Sequence, residues 1–325
     1  MRYILREQEL SSVLPVQNDF LVTCTSRYVH LISDKIDISQ RKLIKNADMS
    51  EATELIKLIK QKQLSKVIGL GSGKAIDVTK FATAQTKTYF VAIPTCLSTN
   101  CIFTDKSTLF TEGEKITHKS KVPNEIIYDW NIISQNNFMN ICGLVELMSS
   151  TTALNDWLIV SNNNEASINN NVFNGATQII IETEQLLTNH KDYNLKEQLG
   201  LLKKSGDLVV EFGSGRPVSG SEHILAAEIE SYYRCPHGIV LYITIPICIK
   251  LQEERGYPIE RKSIFSNLRE NSYFNNYITQ NMDKEMLLKL LKDVKPRDDR
   301  FTVINIITQS LLAQKAAEVL NDIFK

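Results

Sequence analysis

The hydrophobic pattern changes rhythm along the chain. Over about the first 130 residues, short apolar runs of strand length alternate with stretches of helical spacing. Phe20–Cys24 (FLVTC), the weaker Lys42–Asn46 (KLIKN), Lys66–Leu70 (KVIGL), Tyr89–Ile93 (YFVAI, stopped by Pro94) and Glu125–Asp129 (EIIYD) read as strands. Between the second and third lies DMSEATELIKLIKQKQ, which opens on an acidic, serine-containing turn. It sets Leu55, Ile56, Leu58 and Ile59 at helical spacing. Ala75–Gln85 reads as the next helix, and residues 106–120 as a hairpin in which TEGE joins STLF to KITHK. This alternation predicts βαβ units and a parallel, Rossmann-like sheet.

From about residue 135 the strand signal stops. Helical patterns follow at 135–160, 165–190, 196–214, 220–234, 238–255, 283–294 and 302–324. The shift at 130–136 divides an α/β domain, residues 1–134, from an all-α domain, residues 135–325. Ile239–Leu251 (IVLYITIPICIKL) is the most apolar window. It is shorter than the ~18 residues a membrane span needs, so it reads as a buried helix. The asparagine-rich 161–171 reads as a solvated connection, and the polar 260–285, with scattered aromatics, as surface helices.

Composition narrows the function classes. The 325 residues are 43% hydrophobic and 23% charged, enough to bury cores. Thirty-seven basic and 37 acidic residues leave no net charge, so no global field favours nucleic acid or an anionic membrane. The six cysteines form no CxxC pair and several lie in apolar runs, which predicts reduced thiols and a cytoplasmic protein. MRYILREQEL lacks an apolar signal core, so no secretory signal is expected.

Glycine is scarce, so the cluster in VIGLGSGKAIDVTKFA (Val67–Ala82) stands out. A strand runs through Gly69, Gly71 and Gly73 into a helix. Such a turn lets backbone approach a bulky anion and offers it the unpaired N–H groups of the helix start. It fits neither the P-loop nor the usual dinucleotide fingerprint, and alone it could equally be a structural tight turn. The next strand ends in PTCLSTN, with Thr95, Ser98, Thr99 and Asn100. In an open α/β sheet ligands bind beyond the carboxyl ends of strands, so two polar loops at two such ends together favour a dinucleotide.

Of five histidines, His223 and His237 lie 14 residues apart, each near the start of a helix. The first helix is expected to be capped by Ser219 or Ser221. Consecutive antiparallel helices can bring the two imidazoles together. With one carboxylate, from Glu146, Asp156 or Glu228, they would form an open site for a catalytic divalent metal. By spacing alone, two structural or surface histidines are the better reading of the pair. Arg216, seven residues before His223, is the nearest candidate anion clamp.

These motifs together resemble the superfamily of iron-type alcohol dehydrogenases, glycerol dehydrogenases and 3-dehydroquinate synthases, and within it most of all the sn-glycerol-1-phosphate dehydrogenases. The resemblance spans about residues 15–255. GLGSGKAIDVTKFA is similar to the family's GxGGGxxIDxAK element, with Ser72 in place of a glycine, and PTCLSTN to its PTxxS loop. GLVELMSSTTALNDW (Gly143–Trp157) resembles the helix bearing its carboxylate ligand. SGDLVVEFGSGRPVSGSEH (Ser205–His223) is the most specific match.

The resemblance implies a nucleotide-binding α/β domain, an all-helical domain and an active site in the cleft between them. It implies that Gly71, Ser72, Gly73, Lys74, Ala75 and Asp77 serve the pyrophosphate turn of NAD or NADP. Thr95, Ser98 and Thr104 would contact the cofactor. Asn100, Lys106 and Arg216 would meet substrate, and Glu146, His223 and His237 would ligate zinc, iron or nickel. Homo-oligomers are usual in the family. Three departures stand out: Glu146 replaces the dehydrogenases' Asp and reaches ~1.5 Å further, Asn100 replaces a substrate-contacting Asp, and Ala227 replaces a second His.

The expected activity is metal-dependent, NAD(P)-linked interconversion of a small polyol or polyol phosphate with its ketone. Glu146 and Arg216 also admit a phosphate-eliminating cyclase of the synthase type. Ala227 and Asn100 admit a cofactor-binding relic without activity. Discrimination between NAD and NADP is expected near Asn46–Asp48.

Overall fold

The strand-length runs of the amino-terminal part pair side by side in one sheet, and the remainder is helical. The computed structural model describes residues 3–13, 19–163, 167–188, 194–258 and 272–325. The chain divides into two compact units, Met1–Ile141 and Cys142–Lys325. The composition shift at 130–136 precedes this division by a few residues.

The first unit runs β1 (Ile4–Glu7), α1 (Leu10–Val13), β2 (Phe20–Cys24), β3 (Arg41–Leu43), α2 (Met49–Lys62), β4 (Lys66–Gly71), α3 (Gly73–Thr86), β5 (Tyr89–Pro94), β6 (Lys106–Thr111), β7 (Glu114–Lys119), β8 (Glu125–Tyr128) and α4 (Trp130–Ile133). α5 (Asn137–Met148) then passes through the division. Six strands form a sheet in the order β1-β8-β5-β4-β2-β3, and every pairing is parallel. Alternate residues of β2 serve opposite faces, as strand geometry requires. Phe20, Val22 and Cys24 pack with Ile32, Ile36 and Ile127. Leu21 packs with Leu55 and Ile59 of α2 and Val78 and Ala82 of α3. Burial on both faces explains why these strands read as continuous apolar runs.

β1 is the strand the hydrophobic pattern misses. Its four residues, ILRE, are mostly exposed, and it forms because β8 offers it an edge, in register from Ile4 opposite Glu125 to Glu7 opposite Tyr128. β6 and β7 make the expected antiparallel hairpin. Its two-residue turn, Glu112–Gly113, has φ of 54° and 91°, the paired positive values that match the twist of a hairpin.

The second unit continues with α6 (Ser150–Asn162), α7 (Asn170–Thr188), α8 (Leu195–Phe212), α9 (Ser221–Tyr233), α10 (His237–Glu254), α11 (Ser272–Asn281), α12 (Lys284–Lys292) and α13 (Gln309–Ile323). No strand occurs among its described residues. Most of α10 is buried, so it is apolar around its circumference rather than along one stripe. Gly238, in its first turn, lets it meet α5 backbone to backbone. A Cβ there would stand 2.6 Å from Cys142 Cα and 2.7 Å from Cys142 O. The polar run 260–285 lies outside the described residues up to 271, and its described end forms α11. No described helix is long and apolar enough to cross a membrane.

Candidate metal centre and nucleotide-binding turn

In the first unit the two polar loops that the sequence singles out are neighbours. β4 and β5 are adjacent, with Gly71 opposite Pro94, and the Thr95 N–H donates to Gly71 O at 2.9 Å. Gly71 is needed for close packing, since a Cβ there would come 2.9 Å from Ala75 Cβ. A Cβ on Gly73 would meet nothing within 4 Å, so this side of the turn is open. Ser72 caps α3 without a side-chain hydrogen bond, and the first intrahelical bond runs from Ile76 N to Ser72 O. The amides of Gly73, Lys74 and Ala75 thus precede the helical ladder, where a helix start binds anions. The Thr95 hydroxyl beside them is buried and has no partner among the described residues. An orphaned buried hydroxyl at the carboxyl end of β5 fits a polar ligand there.

The other candidates in this unit have local partners. The Asp77 carboxylate turns inward to Lys80, 3.2 Å away, and burial raises its pKa despite that charge. Lys80, whose side chain is fully buried, also donates to Cys101 O at 2.5 Å and so ties α3 to the loop after β5. The Thr104 hydroxyl donates to the same carbonyl at 3.1 Å. Ser98 is buried and Asn100 caps a short 3₁₀ turn. Lys106 Nζ lies 3.6 Å from Asp105. Asp48, in the segment expected to read the ribose, caps α2.

In the second unit three side chains converge. Glu146 comes from α5, His223 from the first turn of α9 and His237 from the first residue of α10. Their nearest ligand atoms all lie within 4.8 Å of one another. His237 Nε2 is 3.2 Å from His223 Nε2 and 3.2 Å from Glu146 Oε2, and His223 Nε2 is 3.9 Å from Glu146 Oε2. Two donors each ~2.1 Å from a tetrahedral ion stand about 3.4 Å apart, so the spacing is that of a metal chelate.

The outer contacts fix the chemistry. His223 Nδ1 lies 2.7 Å from Glu222 Oε1, and His237 Nδ1 lies 2.8 Å from Glu230 Oε1. A carboxylate only accepts, so each Nδ1 donates, and in the neutral imidazole each Nε2 then presents a lone pair. Two lone pairs and a carboxylate oxygen facing one another repel unless a cation lies among them. The donor set therefore fits a divalent metal, with a carboxylate behind each imidazole.

Of the three carboxylates considered from sequence, only Glu146 joins the cluster. Glu228 is exposed. Asp156 sits one layer away, where it accepts from Ser221 N at 2.5 Å, Val303 N at 2.9 Å and Gln252 Nε2 at 3.0 Å. Burial, then the Glu222 charge, push its pKa up to about 6. This arrangement corrects the expected cap of α9. The N-cap is Gly220, not Ser219 or Ser221, and it has no capping side chain of its own. Glu222 Oε1 accepts from Gly220 N at 2.6 Å and Asp156 accepts from Ser221 N, so two carboxylates take the place of a capping hydroxyl. A Cβ at position 220 would overlap Asp156 Oδ2 and come 3.0 Å from Ala153 Cα, which is why a glycine stands there.

Glu222 and Glu230 carry no sequence signal that marks them as the groups behind the imidazoles, although Glu222 lies inside the SGSEH segment. Thr152 Oγ1 holds the other Glu222 oxygen at 2.6 Å. Arg216 donates through Nη1 to Phe301 O at 3.2 Å.

Comparison with known proteins agrees with this architecture. Residues 2–136 match the family model described as iron-containing alcohol dehydrogenase. The fold is that of the iron-containing alcohol dehydrogenases. The solved iron-containing alcohol dehydrogenase of Thermotoga maritima superposes with a TM-score of 0.67 at 14% identity, covering 99% of this chain and 98% of that one.

Among curated proteins, the chain is similar to the glycerol-1-phosphate dehydrogenase [NAD(P)+] of Aeropyrum pernix, 31% identical over 193 residues, 57% of this chain and 54% of that protein. It is also similar to that of Thermococcus sibiricus, 25% identical over 207 residues, 60% of this chain and 58% of that protein. The chain thus spans little more than half the length of these two relatives.

Proposed function

We propose that this chain is a metal-dependent, NAD(P)-linked oxidoreductase that interconverts a small polyol or polyol phosphate, of the sn-glycerol 1-phosphate kind, with its ketone. The observation that carries the reading is the convergence of Glu146 Oε2 with two imidazole lone pairs, each aimed by a carboxylate behind it. The similarity to enzymes named glycerol-1-phosphate dehydrogenase supports the substrate. A divalent ion (zinc, iron or nickel) held by Glu146, His223 and His237 would act as a Lewis acid on a substrate oxygen.

The chain's own groups supply the rest. Glu222 and Glu230 keep both imidazoles in the Nδ1–H tautomer and raise their basicity. The amides of Gly73, Lys74 and Ala75, with the Thr95 hydroxyl, would take the cofactor pyrophosphate on the open side of the turn. Asn100, Lys106 and Arg216 are the candidate substrate contacts. The six cysteines are all free, consistent with a cytoplasmic enzyme.

The test is calorimetric titration of the full chain with Zn²⁺, followed by NAD(P)H absorbance over a panel of polyols and polyol phosphates. The wild type is expected to bind one ion and to change net NAD(P)H. His223→Ala should lose both while keeping its circular dichroism spectrum. Unchanged metal binding or turnover in that variant would overturn the assignment. Glu146, a Glu where the dehydrogenases have Asp, favours a second reading, the synthase-type cyclase. That enzyme would release phosphate with no net change in NAD(P)H.

A further inference from the structure

The chain leaving β2 brings a cation towards the glycine turn. β2 runs beside β4 with Cys24 opposite Leu70, so the residues after β2 emerge next to Gly71 and Ser72, at the carboxyl end of the sheet. They are Thr25, Ser26, Arg27 and Tyr28, with no carboxylate among them. The Arg27 guanidinium is held in place. Its Nη2 donates to Asn136 Oδ1 at 3.0 Å, and its central carbon stands 5.6 Å from the centre of the Tyr28 ring. The Tyr28 hydroxyl donates to the same Asn136 oxygen at 3.2 Å.

Asn136 is buried, and its other end reaches the loop after β5. Asn136 Nδ2 donates to Thr95 O at 2.8 Å and to Ile132 O at 3.2 Å. One amide thus ties Arg27 to the residue whose buried hydroxyl has no partner among the described residues. The next residue links Arg27 to the turn itself. The Cys96 thiol hydrogen-bonds with the hydroxyls of Ser98 and Ser72, the latter unused by its helix. Burial raises the pKa of this thiol, while those bonds and the Arg27 charge draw it back down. The Arg27 charge and the Ser72 hydroxyl therefore act on the same sulfur.

Among the described residues Arg27 bonds no carboxylate, and Asn136 takes up only one of its N–H donors. A cation held by neutral partners lies beside an orphaned hydroxyl and the helix-start amides of Gly73, Lys74 and Ala75. Such a group completes a site for an anion. We infer that Arg27, fixed by Asn136, binds a phosphate of the dinucleotide. This rests on the nucleotide reading of the turn and adds to it a residue that lies in neither the glycine motif nor the PTCLSTN loop. Two phosphates share the required chemistry, the pyrophosphate of either cofactor and the 2′-phosphate of NADP. The guanidinium fork suits the paired oxygens of both, and lysine would replace it poorly. In open sheets of this kind a carboxylate near the turn takes the ribose hydroxyls of NAD and an arginine takes the 2′-phosphate. The lack of an acid after β2 keeps that second source open.

The experiment measures NADH and NADPH binding to the full chain with Zn²⁺ present, by calorimetry, for the wild type, Arg27→Gln and Arg27→Lys, with thermal melts alongside. The wild type should bind at least one of the two. Arg27→Gln should bind it at least tenfold more weakly, and Arg27→Lys several-fold more weakly. Equal losses for NADH and NADPH assign the contact to the pyrophosphate, and a loss confined to NADPH assigns it to the 2′-phosphate. Added salt should weaken binding more steeply in the wild type than in Arg27→Gln, because a charge–charge contact is screened. Affinities for both cofactors within twofold of wild type in Arg27→Gln overturn the proposal. If that variant fails to fold, Arg27→Lys decides by the same comparison. A wild type that binds neither dinucleotide at millimolar concentration instead overturns the nucleotide reading of the turn, and the role of Arg27 with it.

Discussion

Gly238→Ala puts the geometry of the metal cluster under direct test. The added Cβ would meet Cys142 Cβ at 2.5 Å, Cα at 2.6 Å and the carbonyl oxygen at 2.7 Å. Ordinary carbon contacts begin at about 3.5 Å, so α5 and α10 must separate locally by about 1 Å. Two of the three atoms struck are backbone, so no rotamer change relieves them. Overpacking of this kind costs about 1–3 kcal/mol, and at roughly 2–4 °C per kcal/mol the melting temperature falls by several degrees.

The functional effect should exceed the structural one. Glu146 lies one turn beyond Cys142 on the same face of α5, and His237 immediately precedes Gly238. The separation therefore acts on the Glu146–His237 pair, now 3.2 Å apart. Metal–ligand distances tolerate only about ±0.2 Å, so one ligand of three is lost. Thermal melts with and without Zn²⁺ read both effects, because an ion that binds only the folded state raises the midpoint. The variant should melt several degrees lower and lose most of the zinc-induced rise. Adding Cys142→Gly removes only the Cβ contact and should rescue only part of the loss. A Gly238→Ala protein with wild-type melting and zinc affinity would refute the close helix approach as the device that sets the ligands.

Two further outcomes follow from the groups behind the ligands. Glu230→Gln keeps the size of the group that orients His237 but removes its charge, and should weaken zinc affinity about 10–100-fold in a competition titration; an unchanged affinity would show that Glu230 plays no part in tuning the site. The Asp156 carboxyl, raised to about 6, should titrate there when followed by carbon NMR, against an ordinary value of 3.8. Because the folded state holds this proton more tightly than the unfolded chain, the contribution of Asp156 to stability is greatest below about pH 4. It falls by about 3 kcal/mol as pH rises to about 6, then stays level; a midpoint below 5 would contradict its burial beside Glu222.

How much of this was readable from the chain depended on distance in sequence. The parallel strands could be read because burial on both faces makes them apolar throughout, and the hairpin because Glu112–Gly113 is a turn in its own right. Glu146, His223 and His237 could be proposed because their motifs carry a resemblance; spacing alone favoured two structural or surface histidines. β1 was not legible, since an exposed edge strand shows no hydrophobic pattern and owes its existence to β8. The cap of α9 was misread because local propensity favours serine, while Asp156, 65 residues earlier, supplies the acceptor and demands a glycine. Arg27 gave no signal, because Asn136, which fixes it, lies 109 residues away.

The edge position of β1 also sets an order of events. Its pairing with β8, and the neighbouring bond from Leu10 N–H to Asp129 Oδ2 across 119 residues, join the start of the α/β unit to its end. On the ribosome β1 must wait unpaired while β2 to β5 are made, and it can dock only once β8 has followed. Ile4 and Tyr3 are therefore natural vantage points for watching the sheet finish: a reporter placed there stays silent through every earlier stage of assembly and responds to the last.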